Sequence, residues 1–233
     1  TGDASAYNVN LGAKATFTVN AKDAAVNGTM TVENGAAVTL NGTTANATNN
    51  VTLKPASTLT VNNGEYTTSG TLAIQAVEKN VSIVNVTSDN TVNKGTITVS
   101  GKLTAKALTN AQNASLTVNA ATCEGRGISG TVALKSLTNN GNVVTKKAET
   151  TKNYFGGTID VETLNNNNVI KTNGELAVTT GGTNALDAEI VLLDDRYSLI
   201  QLPKNYTNNG VITISKPENY CMFTYYKQYN KLN

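Results

Sequence analysis

The densest cluster of charged side chains in the sequence lies at residues 194–196, with two further carboxylates just before it. The whole group contains Asp187, Glu189 and the run Asp194-Asp195-Arg196. Paired carboxylates act as acid and base in glycoside hydrolysis, and carboxylates beside a cation can hold calcium and support proton removal from an acidic sugar. Because adjacent residues of a strand point to opposite faces, Asp194 and Asp195 are not expected to share a site. We interpret the group as a solvated turn and predict no catalytic residues.

Other residue types that carry chemistry are scarce. The chain has no histidine, which removes the commonest general base and the commonest zinc ligand. Its two cysteines, Cys123 and Cys221, lack the spacing of a zinc site. The sequence contains no phosphate-binding loop, dinucleotide fingerprint or EF-hand. We therefore predict no metal site and no bound cofactor.

Charge and hydropathy restrict the partners. Eighteen basic and 16 acidic residues give a formal net charge of +2, so there is no electrostatic footprint for nucleic acid. No stretch approaches the roughly 18 apolar residues that cross a membrane, so we expect no membrane insertion by this segment. The first residues do not form a signal peptide. If the protein is exported, its leader has been removed.

The first third of the chain is repetitive. Residues 16–36, 37–57 and 58–78 align so that apolar residues share columns. One column holds Phe17, Val38 and Leu59, another holds Val19, Leu40 and Val61, and a third holds Met30, Val51 and Leu72. A fixed period of about 21 residues is typical of a solenoid.

Beyond residue 78 the spacing loosens, but one phrase keeps returning: glycine, any residue, apolar, any residue, apolar. It begins at Gly28, Gly70, Gly95, Gly130, Gly157, Gly174 and Gly210. Each phrase predicts a short strand whose alternate side chains face inward, with Gly or Asn supplying a positive-φ corner. Asn at equivalent corners is expected to stack into amide ladders, which would explain the excess of Asn.

We predict an all-β fold, a right-handed single-stranded parallel β-helix with about 21 residues per coil. Each coil would hold three strands and three corners, and about 11 coils would stack at roughly 4.8 Å into a rod on the order of 50 Å long. The alternative is an antiparallel β-sandwich, because Asn-Gly is also a hairpin signal. Short strands, missing core aromatics and equal columns favour the β-helix.

The chain is predicted to form one domain, residues 1–233, with caps at both ends. A solenoid must cover the unpaired strands of its terminal coils. Residues 216–233 suit a C-terminal cap because their aromatic content breaks with the preceding composition. Residues 1–15 are the candidate for the N-terminal cap.

The coil period also bears on the cysteines. Cys123 and Cys221 are separated by four to five coils, roughly 20 Å along the axis at the strand spacing. A disulfide needs Cα atoms within about 7 Å, so we predict two free thiols unless the tail folds back along the rod.

Threonines between the inward positions raise the possibility of a flat outward file, as in β-helical ice-binding proteins. They are Thr18, Thr31, Thr39, Thr52, Thr60, Thr98, Thr117 and Thr213. Ala73, Ala133 and Asp160 occupy equivalent positions and interrupt the file. We expect simple β propensity to explain these threonines.

The phrases NNGVITIS, NGTMTVENGAAVTLNG and NNGEYTTSGTLAIQA resemble the Asn-Gly-rich repeats of adhesin-like right-handed β-helix proteins on the surface of Gram-negative gut anaerobes. The resemblance covers most of residues 16–214. It implies an exported, extracellular or cell-surface structural or adhesion module that contacts glycans or surface proteins, and we expect a monomer. The alternatives are a polysaccharide lyase or glycoside hydrolase on a β-helix and, third, an ice-binding protein.

Overall fold

The structure is a computed structural model that describes residues 2–121, 128–147, 156–193, 198–215 and 222–226. These residues are all-β, with turns and no helix. The strands in chain order are β1 Ala4–Ala6, β2 Val9–Leu11, β3 Thr16–Val32, β4 Ala37–Leu53, β5 Thr58–Val61, β6 Glu65–Thr68, β7 Thr71–Ile74, β8 Ala76–Val77, β9 Asn80–Val81, β10 Ile83–Val86, β11 Asn90–Asn93, β12 Thr96–Val99, β13 Lys102–Asn110, β14 Ser115–Ala121, β15 Ile128–Ser129, β16 Thr131–Asn139, β17 Asn142–Lys146, β18 Thr158–Asn166, β19 Val169–Thr172, β20 Glu175–Asn184, β21 Glu189–Leu192, β22 Leu199–Pro203, β23 Tyr206–Asn208, β24 Val211–Ile214 and β25 Met222–Tyr226.

Parallel pairing arranges all of these strands except β8, β9 and β15 in three ladders, which we call A, B and C. Ladder A is the file of backbone partners Phe17, Val38, Leu59, Val84, Leu103, Val132, Ile159, Leu176, Ile200 and Phe223. Its first three members are those that the sequence repeat placed in one column. The predicted register is therefore confirmed at the start of the chain.

Ladders B and C are built in the same way, and the chain visits A, B and C in constant order. Ladder B joins Ala4, Ala24, Asn46, Tyr66, Thr91, Leu108, Leu137, Leu164, Gly182 and Tyr206. Ladder C joins Val9, Met30, Val51, Leu72, Ile97, Leu116, Val143, Ile170, Ile190 and Ile212. Because all three ladders are parallel, the antiparallel β-sandwich considered as the alternative is wrong.

The length of a circuit varies more than the sequence period indicated. Ladder A keeps the predicted step from Phe17 to Val38, takes a longer one from Leu103 to Val132, and takes a shorter one from Ile159 to Leu176. The longest connections all run from ladder C to ladder A, including the one that carries the antiparallel hairpin β8–β9. Each ladder consequently has ten rungs in the described residues, fewer than an even period predicted.

Alternating side chains from the three ladders enclose one apolar core. In β5 and β12, for example, the second and fourth residues are buried and the others are not. The buried apolar residues of all three ladders form a single cluster. Tyr66 is the one large aromatic residue fully buried there, and its hydroxyl lies 2.8 Å from Thr48 Oγ1. Aliphatic side chains are large enough to fill the core, because each ladder packs against the other two.

The glycine that opens the repeated phrase has a different role from the one predicted. Positive φ does occur at Gly35 and Asn113, but also at Lys14 and Ala56, and it does not occur at the phrase glycines. A Cβ on Gly95 would instead lie far inside van der Waals contact of the carbonyl oxygen of Gly70, one rung below. The same conflict with backbone oxygen of a neighbouring circuit applies at Gly28, Gly130, Gly157, Gly174 and Gly210. Glycine is required here by close stacking of the corners.

The predicted asparagine ladder exists, and its principal part is internal. At the end of ladder B, each side-chain amide donates a hydrogen bond to the amide oxygen one rung further on, with Nδ2 to Oδ1 distances of 2.8–2.9 Å. The row consists of Asn93, Asn110, Asn139, Asn166, Asn184 and Asn208. The first five of these residues are fully buried. The second amide hydrogen of each donates to a nearby backbone carbonyl, as from Asn139 to Val169 of ladder C at 3.1 Å. A shorter file joins Asn20, Asn41 and Asn62 on the surface.

Both predicted caps contribute rungs to the ladders. Strands β1 and β2, within residues 1–15, begin ladders B and C. Strand β25, within residues 216–233, pairs with β22 as the tenth rung of ladder A. The remaining residues of that segment, with Cys221, lie outside the described part of the chain, as does Cys123. The capping role and the two free thiols stay predictions.

Replacing Gly95 with Ala should destabilise the fold by about 2 kcal/mol or more, because the new methyl group overlaps backbone that cannot move without separating two rungs. Gly12→Ala is the matched control, since nothing lies within 4 Å of a Cβ there. Urea unfolding of both variants measures the difference. Equal stability of the two variants would contradict the stacking argument.

Asn139→Ala should cost about 2–4 kcal/mol, because it leaves buried partners without hydrogen bonds. The lost contacts include Asn139 Nδ2 to Asn166 Oδ1 at 2.8 Å and the one accepted from Asn110 Nδ2 at 2.9 Å. Asn167→Ala, which removes an exposed amide pair with Asn140, should change stability by less than about 0.5 kcal/mol. Thermal unfolding that ranks the two variants equally would mean that the internal ladder is not stabilising.

Candidate functional site

The acidic group singled out in the sequence is divided by strand β21. Asp187 is exposed in the turn of residues 185–188, before the strand. Glu189 opens the strand and accepts a hydrogen bond from Thr213 Oγ1 at 3.3 Å. Asp194, Asp195 and Arg196 follow the strand and lie outside the described residues. The described part of the group therefore presents no paired carboxylates.

A different carboxylate pair is brought together by the register. Glu175 lies one rung above Thr158, and Asp160 is the next outward residue beyond Thr158 in the same strand. Burial raises the pKa of Asp160. Burial, and to a lesser degree the charge of Asp160, raises the pKa of Glu175. The sequence pointed to Asp160, because it interrupts the row of outward threonines. Glu175 could be recognised as its partner only from the structure, in which a short circuit places the two residues on neighbouring rungs.

The outward threonines do not form a continuous surface. Thr18, Thr39 and Thr60 are stacked in ladder A, and Asn85 follows them. In ladder C, the pair Thr31 and Thr52 is separated by Ala73 from the pair Thr98 and Thr117. Ala133 and Asp160 occupy successive rungs of ladder A, as predicted. A regular array of the kind expected for ice binding is absent from the described ladders.

A sizeable polar depression lies at the corner between ladders B and C. We call it the amide notch; its volume is about 630 Å³, and it is lined by Thr109, Ala111, Gln112, Asn113, Asn140, Asn167 and Asn168. At this corner most rungs are joined by two residues, such as Asn140-Gly141. Residues 111–114 instead form a longer turn, closed by a 3.1 Å hydrogen bond from Ala114 N to Ala111 O. The short corners of the next two rungs form the floor beside it.

Backbone geometry fixes how the turn projects. Asn113 has φ 66°, a left-handed conformation that Asn tolerates better than most residues. Ala114 is fully buried and anchors the end of the turn. The turn of residues 185–188 is closed by the equivalent hydrogen bond, from Ala188 N to Ala185 O at 3.1 Å. The two long turns are three rungs apart, roughly 14 Å, with the two short corners between them.

The notch is electrically neutral, and its floor is held in place by hydrogen bonds. None of the residues that line it carries a charge. Asn167 Nδ2 donates to Asn140 Oδ1 at 2.8 Å, and Asn168 Nδ2 donates to the Asn140 carbonyl at 3.3 Å. In the described residues the side chains of Gln112 and Asn113 have no hydrogen-bond partner and are exposed. Each amide therefore offers both donors and an acceptor to a ligand.

Metal-binding clusters do not occur in the described part of the chain. No group of three or more His, Cys, Asp or Glu side chains there is placed to hold a metal ion. Nor do the described residues include a helix with the length and hydropathy to span a bilayer. Within the described residues, the amide notch and the Asp160–Glu175 pair are candidates for a ligand site.

Comparison with known proteins gives no match for this chain. No protein-family model, no curated protein sequence and no solved structure is significantly similar to it. Its activity is consequently inferred from its own residues and their geometry.

Glu175→Gln should raise the melting temperature at pH 7. A carboxyl whose folded pKa is raised favours folding while it is protonated, and that contribution is lost as the pH rises from the ordinary carboxyl pKa of about 4 through the raised value. The stability advantage of the variant should therefore vanish near pH 3. Melting curves from pH 3 to pH 7 test this, with the exposed Glu162→Gln as control. A variant that loses stability at pH 7 would show that ionised Glu175 is favourably paired.

Proposed function

We propose that the chain is a non-catalytic extracellular structural and adhesion module of a bacterial cell-surface protein, built as a right-handed parallel β-helix. The observation that carries the proposal is an uncharged outward file of hydroxyl and amide side chains at the end of ladder B. From Thr109 onward, the outward positions at the end of ladder B are Thr109, Thr138, Asn165, Thr183 and Thr207. Hydroxyl and amide groups repeated at the strand spacing suit contact with glycans or protein surfaces.

The right-handed coil is supported by a general rule of chain topology. Connections between parallel strands of one sheet are right-handed in about 98% of cases. Ladders A, B and C are visited in constant order, and each return to ladder A is a crossover of this kind. Ten rungs at the strand spacing then give a rod roughly 43 Å long.

Cell-surface location and the bacterial source are proposed from the repeat phrases. NNGVITIS and NGTMTVENGAAVTLNG resemble those of adhesin-like β-helix proteins of Gram-negative bacteria. The first phrase contains the strand Val211–Ile214, and the second begins in the strand Thr16–Val32, near the opposite end of the stack. We propose that the module is a monomer whose partners are glycans or surface proteins.

The alternative, a polysaccharide-degrading enzyme, is favoured by the Asp160–Glu175 pair. From the register, their Cα atoms lie about 8 Å apart on the diagonal between two rungs. Inverting glycosidases also use two carboxyl groups on one surface, one of them kept protonated by a raised pKa. The pair lacks a groove among the described residues, which is why adhesion is the better-supported function.

Two assays on the same protein distinguish these functions. Inert beads coated with the module should be retained under flow on mucin, epithelial-cell or bacterial surfaces, whereas uncoated beads should not. Neutral and acidic polysaccharides incubated with the module should release no new reducing ends. Failure of retention on every surface contradicts the adhesive function. Cleavage that Glu175→Gln abolishes would replace it with the enzymatic one.

A further inference from the structure

We propose that the amide notch is the ligand site of the module and that it binds a short neutral oligosaccharide. The inference rests on the proposed adhesive function and names the site and the ligand class. A notch of about 630 Å³ falls within the roughly 300–1,000 Å³ of small-molecule sites, but its lining is polar where most such sites are apolar. The ligand must therefore be polar over most of its surface.

Hydrogen-bonding capacity selects hydroxyl-rich ligands. Asn140 keeps its two amide donors and Asn167 keeps its side-chain acceptor, since the bond between these residues uses the opposite atoms. Gln112 and Asn113 add two complete amides at the wall. A sugar hydroxyl both donates and accepts, so adjacent hydroxyl groups match adjacent amides without leaving a polar group unsatisfied.

Charge excludes the acidic sugars. The notch offers no Lys or Arg to pair with a carboxylate or sulfate. Asp187 is exposed in the turn three rungs along from Gln112, and Glu189 follows it at the start of β21. A uronic acid bound along the axis would approach these carboxylates without a compensating cation.

The floor is preorganised by the internal ladder. Asn140 and Asn167 directly follow Asn139 and Asn166, whose buried amides join the same two rungs at 2.8 Å. The spacing and orientation of the floor amides are therefore set before a ligand arrives. A preformed site loses less conformational entropy on binding, which favours specific recognition of a flexible oligosaccharide.

The test uses an array of neutral gluco-, galacto- and manno-oligosaccharides beside oligogalacturonate, followed by calorimetry with the strongest neutral probe. The double variant Gln112→Ala/Asn113→Gly removes both wall amides, and glycine preserves the positive φ of position 113. We expect at least about a tenfold loss of affinity, with Asn85→Ala on ladder A as a control that stays within about twofold. A rise in salt should leave the affinity nearly unchanged, because no ion pair forms.

Amide NMR of the wild type provides a measurement that does not depend on a variant. Titration with the neutral probe should shift the side-chain amide signals of Asn140, Asn167 and Asn168. Binding of oligogalacturonate alone, no binding of any neutral probe, or full affinity in the double variant would overturn the inference. If beads coated with the double variant are still retained, the module is adhesive but does not use this site. If beads coated with the wild type are not retained on any surface, the adhesive function itself is wrong.

Discussion

Backbone hydrogen bonding between successive circuits is the constraint on which the rest of the structure depends. Each strand is paired with its equivalent one circuit earlier and one later, so the rungs are held at the strand spacing of roughly 4.8 Å. At that spacing two corners lie almost in contact, and a Cβ on Gly95 has no room above Gly70. The repeated glycine is thus a consequence of stacking. A loop that projects away from the stacked corners is not subject to this constraint, so its length can vary.

The internal asparagine ladder solves a problem created by the same stacking. Backbone groups on the inner side of the corners between ladders B and C need hydrogen-bond partners. Asn139 meets this need, since its amide bonds the next Asn and the next circuit while its oxygen accepts from Gly141 N at 3.2 Å. The ladder stops where Thr68 replaces Asn below Asn93, and the Thr68 hydroxyl has no partner.

The proposed ligand site depends on which corners are regular. Corners that keep the two-residue form give flat surfaces, and a longer turn beside two short corners produces the amide notch. The notch presents the same side-chain amides that form the internal ladder, because Asn140 and Asn167 extend the amide stacking to the surface. The neutral, hydroxyl-rich ligand that we propose matches such a surface better than a charged one would.

Strands, inward columns and an amide ladder could all be predicted from the residues alone, because the repeat aligns Phe17 with Val38 and Leu59 before any folding is considered. Beyond residue 78, where the repeat becomes irregular, tertiary contacts determine which residues become neighbours. Asp160 and Glu175 became neighbours through a shortened circuit, and Gln112 came to stand beside Asn140 and Asn167 through two lengthened ones. Register in irregular circuits is set by hydrogen bonding across the stack, a long-range interaction that local sequence patterns do not contain.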